Sequence, residues 1–414
     1  MSGAERKHGA RRRVVVTGLG VVSPIGIGAE EFWRRALAGS VGTSEITQFD
    51  TSPYQTHRGG EVVAFRPELY INKLDAAGLS RSTQFAVAVT RMALEDAGLL
   101  DSDIPSERVG VCFGIVLGNR PSAERYASRL CRERVAGGVA RAAVTSHDAA
   151  VTSRAPAAEF GLTGPNLVLP TACAAGNSAI SFAMDAIRAG RADVMVAGGA
   201  DELSKTMFML FNSFRSMAPL AVQPFDRHRK GLMLSEGAAA LVLESDEHAR
   251  ARGARIYGEV AGHGNSADAY HMTAPHPEGR GAVRSIREAL GQAGLGPDEV
   301  NYISAHGTGT PVNDLVEAKA IHTVFGKRVG TIPVSSIKGM LGHTQGAASA
   351  IEAVSCLLAI RDGIVPPNAN YEEPDEDCDL DVVANAPRRL RVDVALNNAF
   401  GFGGNISCVV FTKV

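Results

Sequence analysis

The sequence predicts a layered α/β protein made of two similar halves, and three observations carry that expectation. Short β-rich runs at 14–17, 109–113, 194–197, 239–243 and 300–304 alternate with longer Ala-rich segments of helical period at 84–97, 179–189, 282–293 and 347–361. That alternation is the mark of strands buried under helices. RMALEDAGL at 91–99 returns as REALGQAGL at 287–295, with six of nine positions identical. Each copy is followed by a polar or Pro-containing turn and a strand-like run, VGVCFGIV and then VNYISAHG. The order of elements therefore repeats along with the letters. A spacing this long excludes a solenoid, and no Pro/Ser linker separates the copies, so two fused halves are expected, changing over near 250–265.

Length and charge set the outer limits. The 414 residues exceed the roughly 100–200 of one ordinary domain, enough for a large core. Lys and Arg total 42 against 44 Asp and Glu, a balance that gives no basic field for nucleic acid or an anionic membrane surface. The longest apolar stretches are strand-sized, short of the roughly 18 residues that cross a bilayer. The opening MSGAERKHGARRR lacks the apolar core of a secretory signal and reads as a disordered tail over 1–11. Six cysteines without a C-x-x-C pair or an even framework fit a reducing cytoplasm.

Four segments could carry chemistry. In LVLPTACAAGNS (167–178) an apolar strand turns into a run of small residues that can open a helix. A thiol there, Cys173, faces unpaired N–H groups and the positive end of the helix, which favours thiolate and can hold an oxyanion. In YISAHGTGTPVND (302–314) a strand ends in a loop that offers His306 to a cleft, with the hydroxyls of Thr308 and Thr310 beside it. VSSIKGMLGHTQGAA (334–348) sets Lys338 and His343 around a Gly-flanked turn ahead of a helix bearing Glu352, a set that can share one hydrogen-bond network. In NNAFGFGGNISCVVF (397–411) Phe402 stands between glycines before a final strand, in a loop free to swing or to aim an N–H. The GLGVVS run at 18–23 is followed by Pro24 and is a poor dinucleotide loop. Zinc would need ligands gathered wholly from long range, so no metal is expected.

Taken together, PTACAAG, AHGTGTPVND, IKGMLGHTQGAASAIE and FGFGG closely resemble the elongating β-ketoacyl-[acyl carrier protein] synthases, and the resemblance spans nearly the whole chain. It takes in VVVTGLGVVSPIG, PFDRHRKGLMLSEGAAALVLE and NSADAYHMTAPHPEG as well. It implies the thiolase fold, five layers αβαβα from two duplicated halves. The nucleophile would come from 12–260 and the catalytic histidines from 261–414. It also implies a Cys173, His306, His343 catalytic set of the elongating class, and a homodimer or a heterodimer with a chain-length-factor-like subunit. No cofactor is implied; substrates ride on the phosphopantetheine of an acyl carrier protein.

By the same resemblance an acyl chain passes to Cys173, with its oxyanion between the N–H groups of Cys173 and Phe402. A malonyl thioester then loses carbon dioxide, and His306 and His343 hold the enolate through Nε2. Lys338 orients His306, Glu352 supports that network, Thr308 and Thr310 hold the pantetheine arm, and Phe402 acts as a gate. The chain departs from the fatty-acid enzymes at Asn405-Ile406, where Thr-Asn is usual, and at Lys230-Gly231-Leu232, where Asp-Gly-Phe is usual. GIVLGNR (114–120) is also bulkier than their pattern, and Leu117 falls at the wall of the acyl pocket. These departures favour a type II polyketide or specialised pathway over housekeeping fatty-acid synthesis. A non-catalytic chain-length partner is disfavoured because the catalytic set is kept, and an acyltransferase or thioesterase that never decarboxylates is disfavoured by the two histidines.

Overall fold

A computed structural model describes residues 12–100, 102–133 and 148–414. The expected tail over 1–11 lies outside the described residues. The first half contributes β1 (Val14–Ser23), β2 (Val109–Gly114), β3 (Asn166–Leu169), β4 (Val194–Asp201) and β5 (Gly237–Ser245). The second contributes β6 (Gly258–Ala267), β7 (Tyr302–Ser304), β8 (Val334–Ser335), β9 (Val394–Phe400) and β10 (Asn405–Thr412). β6 runs across the expected division at 260/261.

The strands lie in the order β8-β7-β9-β10-β6-β1-β5-β4-β2-β3, and a two-residue strand, Gly26–Ile27, pairs with β1. Read outward from the centre, β1-β5-β4-β2-β3 and β6-β10-β9-β7-β8 are the same permutation. Their directions repeat as well. The two inner ladders of each half are antiparallel and the two outer ones parallel. In the sheet the halves join where Val15 and Val16 pair antiparallel with Glu259 and Gly258. Because the strands are covered on both faces, β1, β4 and β5 are buried at every position, which is why they read as unbroken apolar runs.

Helices α1 (Arg81–Asp96) and α2 (Val151–Phe160) cover the outer face of the first half. α5 (Arg280–Ala293) and α6 (Pro311–Phe325) cover that of the second. Between the halves lie α3 (Ala175–Arg188) and α7 (Ala348–Asp362), packed on each other and on both sets of strands. This is the five-layered thiolase fold. The echoed segments are the ends of α1 and α5, and each stops at a left-handed glycine, Gly98 at φ 68° and Gly294 at φ 70°. α7 is buried from Ala348 to Ile360; a helix enclosed on all sides needs no polar stripe. Gly176 lets the two central helices close, since a Cβ there would lie 2.6 Å from Ala350 N and 2.8 Å from Ser349 Oγ. Asn177 N donates to that same Ser349 Oγ at 2.9 Å. Helix α4 (Lys205–Ser213) sits apart, anchored by Phe208 and Phe211 among Ile46, Leu203 and Met217.

Candidate active site

The central helices begin where the two halves meet, so the loops feeding them bring distant residues together. Cys173 lies in a 3-10 turn, Ala172–Ala174, one step ahead of α3. The preceding Ala172 holds φ 53°, a left-handed conformation that a non-glycine residue adopts at a cost and that turns the thiol out of the helix line. His306 follows β7 and is buried. Glu317, in the second turn of α6, accepts from the N–H groups of His306 and Gly307 at 2.8 Å each. His343 is pinned through its own backbone, its N–H donating to Met233 O at 2.7 Å and its carbonyl accepting from Ser235 N at 2.9 Å. The Cys173 sulfur and ring nitrogens of His306 and His343 all lie within 4.8 Å of one another. The two rings meet edge to face at 5.4 Å between centres.

Lys338, 1% exposed, donates from Nζ to His306 O at 2.6 Å and pairs with Glu352. It thus touches the backbone that carries His306 rather than the ring. Gln345 N donates to His343 Nδ1 at 3.1 Å, which leaves Nε2 of His343 as the protonated, donating nitrogen. Nδ1 of His306 is buried without a hydrogen-bond partner among the described residues.

Burial dominates the electrostatics. It holds His306 well below the ordinary imidazole value, aided by the Lys338 charge and then by His343, and it holds His343 there too with Lys338 next in weight. It pushes Glu352 up to about 7 against the pull of Lys338. The Cys173 thiol is pushed up to about 11 because its sulfur lies deep, although the residue as a whole is half-buried. Lys338 and the N–H groups of Phe402 and Cys173 pull the other way. Burial thus opposes the expected preference for thiolate, and it opposes charge on both imidazoles as well.

The set lies in a mostly apolar cavity of about 410 Å³. Thr308 and Thr310 line it, their hydroxyls 2.8 Å apart. Leu232 lines it, as does Phe402, whose loop comes against Cys173 because residue 401 is glycine. A Cβ on Gly401 would lie 3.0 Å from Ala172 Cβ and 3.1 Å from Cys173 N. Leu117 is not brought to this cavity. It is buried on the segment after β2, where the carboxylate of Asp201 accepts from the N–H groups of Val116, Leu117, Gly118 and Gly346.

Asp201, Asp314 and Glu317 were not singled out by sequence. Asp314 accepts from Thr308 N, Gly309 N and Phe225 N, and the only sequence signal was its place with Glu317 on one face of the helix after the His306 loop. The long-range gathering of Cys173, His306 and His343 also answers the ground on which zinc was set aside, since one thiol and two imidazoles form a zinc donor set. Lys338 speaks against a resident cation there, because its ammonium already opposes positive charge on both histidines.

Comparisons with known proteins agree along the whole chain. Residues 11–249 match the family described as "Beta-ketoacyl synthase, N-terminal domain" and residues 257–372 its C-terminal counterpart. The 3-oxoacyl-[acyl-carrier-protein] synthase 2 of Synechocystis sp. is 41% identical over 413 residues, covering 97% of this chain and 98% of that protein. The ishigamide ketosynthase/chain length factor superposes with a TM-score of 0.94 at 39% identity, covering 98% of this chain and 100% of that one. A structure described as a type II PKS acyl-carrier protein in complex with its ketosynthase bound to the hexaketide superposes with a TM-score of 0.91 at 35% identity, covering 98% and 100%.

Proposed function

Since this chain belongs to the β-ketoacyl synthase family, and so has the carbon–carbon bond-forming acyltransferase activity of a β-ketoacyl-[acyl carrier protein] synthase, we propose that it serves a type II polyketide or specialised fatty-acid-like pathway, with Cys173 as nucleophile. The observation that carries the catalytic assignment is the meeting of Cys173, His306 and His343 within 4.8 Å at one cavity.

In this reading the Cys173 sulfur attacks the acyl thioester of a carrier protein; the new thioester forms on sulfur, and the thiol proton ends on the departing pantetheine thiol. The oxyanion lies between the N–H groups of Phe402 and Cys173. The malonyl thioester then loses carbon dioxide, and its enolate oxygen accepts from Nε2 of His343 and from His306. Neutral imidazoles suit this step because they donate a hydrogen bond without giving up a full proton. The α-carbon attacks the acyl carbonyl, the bond to Cys173 breaks, and the chain leaves two carbons longer on the carrier. Lys338 holds the His306 backbone, Glu352 balances Lys338, and Thr308 and Thr310 bind the pantetheine arm. The first half supplies the nucleophile and the second the histidines.

The pathway reading is supported by Leu232 lining the cavity where the fatty-acid enzymes have Phe, and by the ketosynthase/chain length factor likeness. The partners follow from it: an acyl carrier protein, and a second copy or a chain-length-factor-like subunit. A housekeeping 3-oxoacyl synthase is the second reading, favoured by the Synechocystis relative. Intact-mass spectrometry after incubation with a panel of acylated carrier proteins, then malonyl carrier protein, separates them. Loading of unsaturated or β-keto chains in preference to saturated ones supports the specialised pathway. A preference for saturated chains favours the housekeeping reading, and acyl mass that persists in Cys173→Ala overturns the nucleophile.

A further inference from the structure

Phe402 is the one bulky side chain of the Gly401–Gly404 loop, which is otherwise held by backbone bonds and by the Asn405 side chain, whose Nδ2 donates to Phe402 O at 3.3 Å. Gly401 N donates to Asn405 O at 2.6 Å and Gly403 N to Met272 O at 2.8 Å. The ring of Phe402 rests on two aromatics from the end of α4. It stacks on Phe211 at 5.2 Å and 28°, and meets Phe214 at 6.4 Å and 56°. Phe211 and Phe214 pack edge to face at 6.3 Å. Phe211 is fixed in the cluster around Phe208, with Phe49 and Tyr54 packed against it. Phe214 lies outside that cluster, is 45% exposed, and is followed by Arg215 at φ 53°, a non-glycine residue in the left-handed region. A large apolar ring held at a strained helix end over a cavity that contains Cys173 calls for a reason beyond packing.

We propose that Phe214 is a positioning residue that, with Phe211, clasps the ring of Phe402 and so holds the Phe402 amide over Cys173 in the conformation competent for acyl transfer. This rests on the reading of that amide as half of the oxyanion site. The clasp is worth about one aromatic pair, so loosening it should slow acyl transfer by about 2- to 10-fold.

The test uses the full chain with any co-purifying partner, and hexanoyl-N-acetylcysteamine as donor so that carrier docking does not enter. Acyl transfer to Cys173 is read by intact mass in Phe214→Ala, Phe402→Ala and the double variant, beside alkylation by iodoacetamide, which needs no oxyanion site. The expected result is slower acyl transfer in Phe214→Ala with alkylation no slower, recovery in Phe214→Tyr, and no further loss from Phe214→Ala once Phe402 is Ala. Equal losses in both backgrounds overturn the clasp while leaving the loop assignment standing. Equal slowing of both reactions with a lowered melting temperature overturns it in favour of a structural role. If Phe402→Ala alone leaves acyl transfer unchanged, the ring does not position its amide and the clasp falls, while the oxyanion reading stands, because alanine keeps that N–H.

Discussion

Lys338 buries an ammonium whose partners are one carboxylate and one backbone carbonyl. Removing one member of a buried pair costs about 3–5 kcal/mol when the other stays charged. Glu352, already pushed up to about 7, can instead take up a proton. Lys338→Met is therefore expected to lose more stability at pH 8 than at pH 6, measured by urea unfolding at each pH; an equal loss at both would contradict the pairing. Adding Glu352→Leu should recover stability without activity, because the His306 carbonyl still lacks its donor. The histidines carry the opposite sign. Both are held well below 6.5, so they stay neutral donors as pH falls through 6.5, whereas the unfolded chain takes up protons there. Carbon dioxide release from malonyl carrier protein is expected to stay level from pH 7.5 to 6, while the urea midpoint declines below 6.5. An acid limb in release centred near 6.5 would mean that these imidazoles are ordinary and solvated.

At the scale of elements, the site depends on how closely α3 and α7 begin. A methyl at Gly176 meets the α7 backbone first, at Ala350 N, and then the Ser349 hydroxyl. Overpacking of that kind costs about 1–3 kcal/mol, against about 1 kcal/mol gained from replacing helical glycine with alanine. Gly176→Ala is thus expected to lower the unfolding midpoint. It should also displace the Ser349 hydroxyl that bonds Asn177 N and Cys173 O, slowing iodoacetamide alkylation of Cys173. A variant with wild-type midpoint and alkylation rate would show that the helices have slack.

For the whole molecule, the two ends of the sheet are unlike. β8 is a two-residue strand, and the β-bridge from its Val334 to Val382 flanks it. Among the described residues β3 pairs with β2 alone, and its Asn166 and Leu167 are exposed. An open apolar edge strand invites a second chain. The intact protein is expected at twice the mass of one chain, alone or with a chain-length-factor-like subunit, and Leu167→Lys should shift it to single-chain mass in light scattering. A wild-type protein of single-chain mass would remove the dimer from the proposal. No helix among the described residues is long and apolar enough to cross a membrane.

The sequence alone determined the layering and the duplication, because each is written locally, and its resemblance to the β-ketoacyl synthases pointed to Cys173, His306 and His343. Apolar runs mark strands buried on both faces, and the echo at 91–99 and 287–295 marks equivalent helix ends. Small residues around Cys173 and the glycines beside His306 and Phe402 mark loops that must pass close to something. The sequence did not show what they pass close to. That Glu317 folds back on the His306 loop, that Asp201 ties Leu117 to the His343 segment and that Phe214 reaches Phe402 all depend on contacts between residues from ten to nearly two hundred positions apart. The balance at Cys173 has the same origin: helix position favours thiolate, while the depth of the sulfur, a property of the assembled fold, raises the cost of charge.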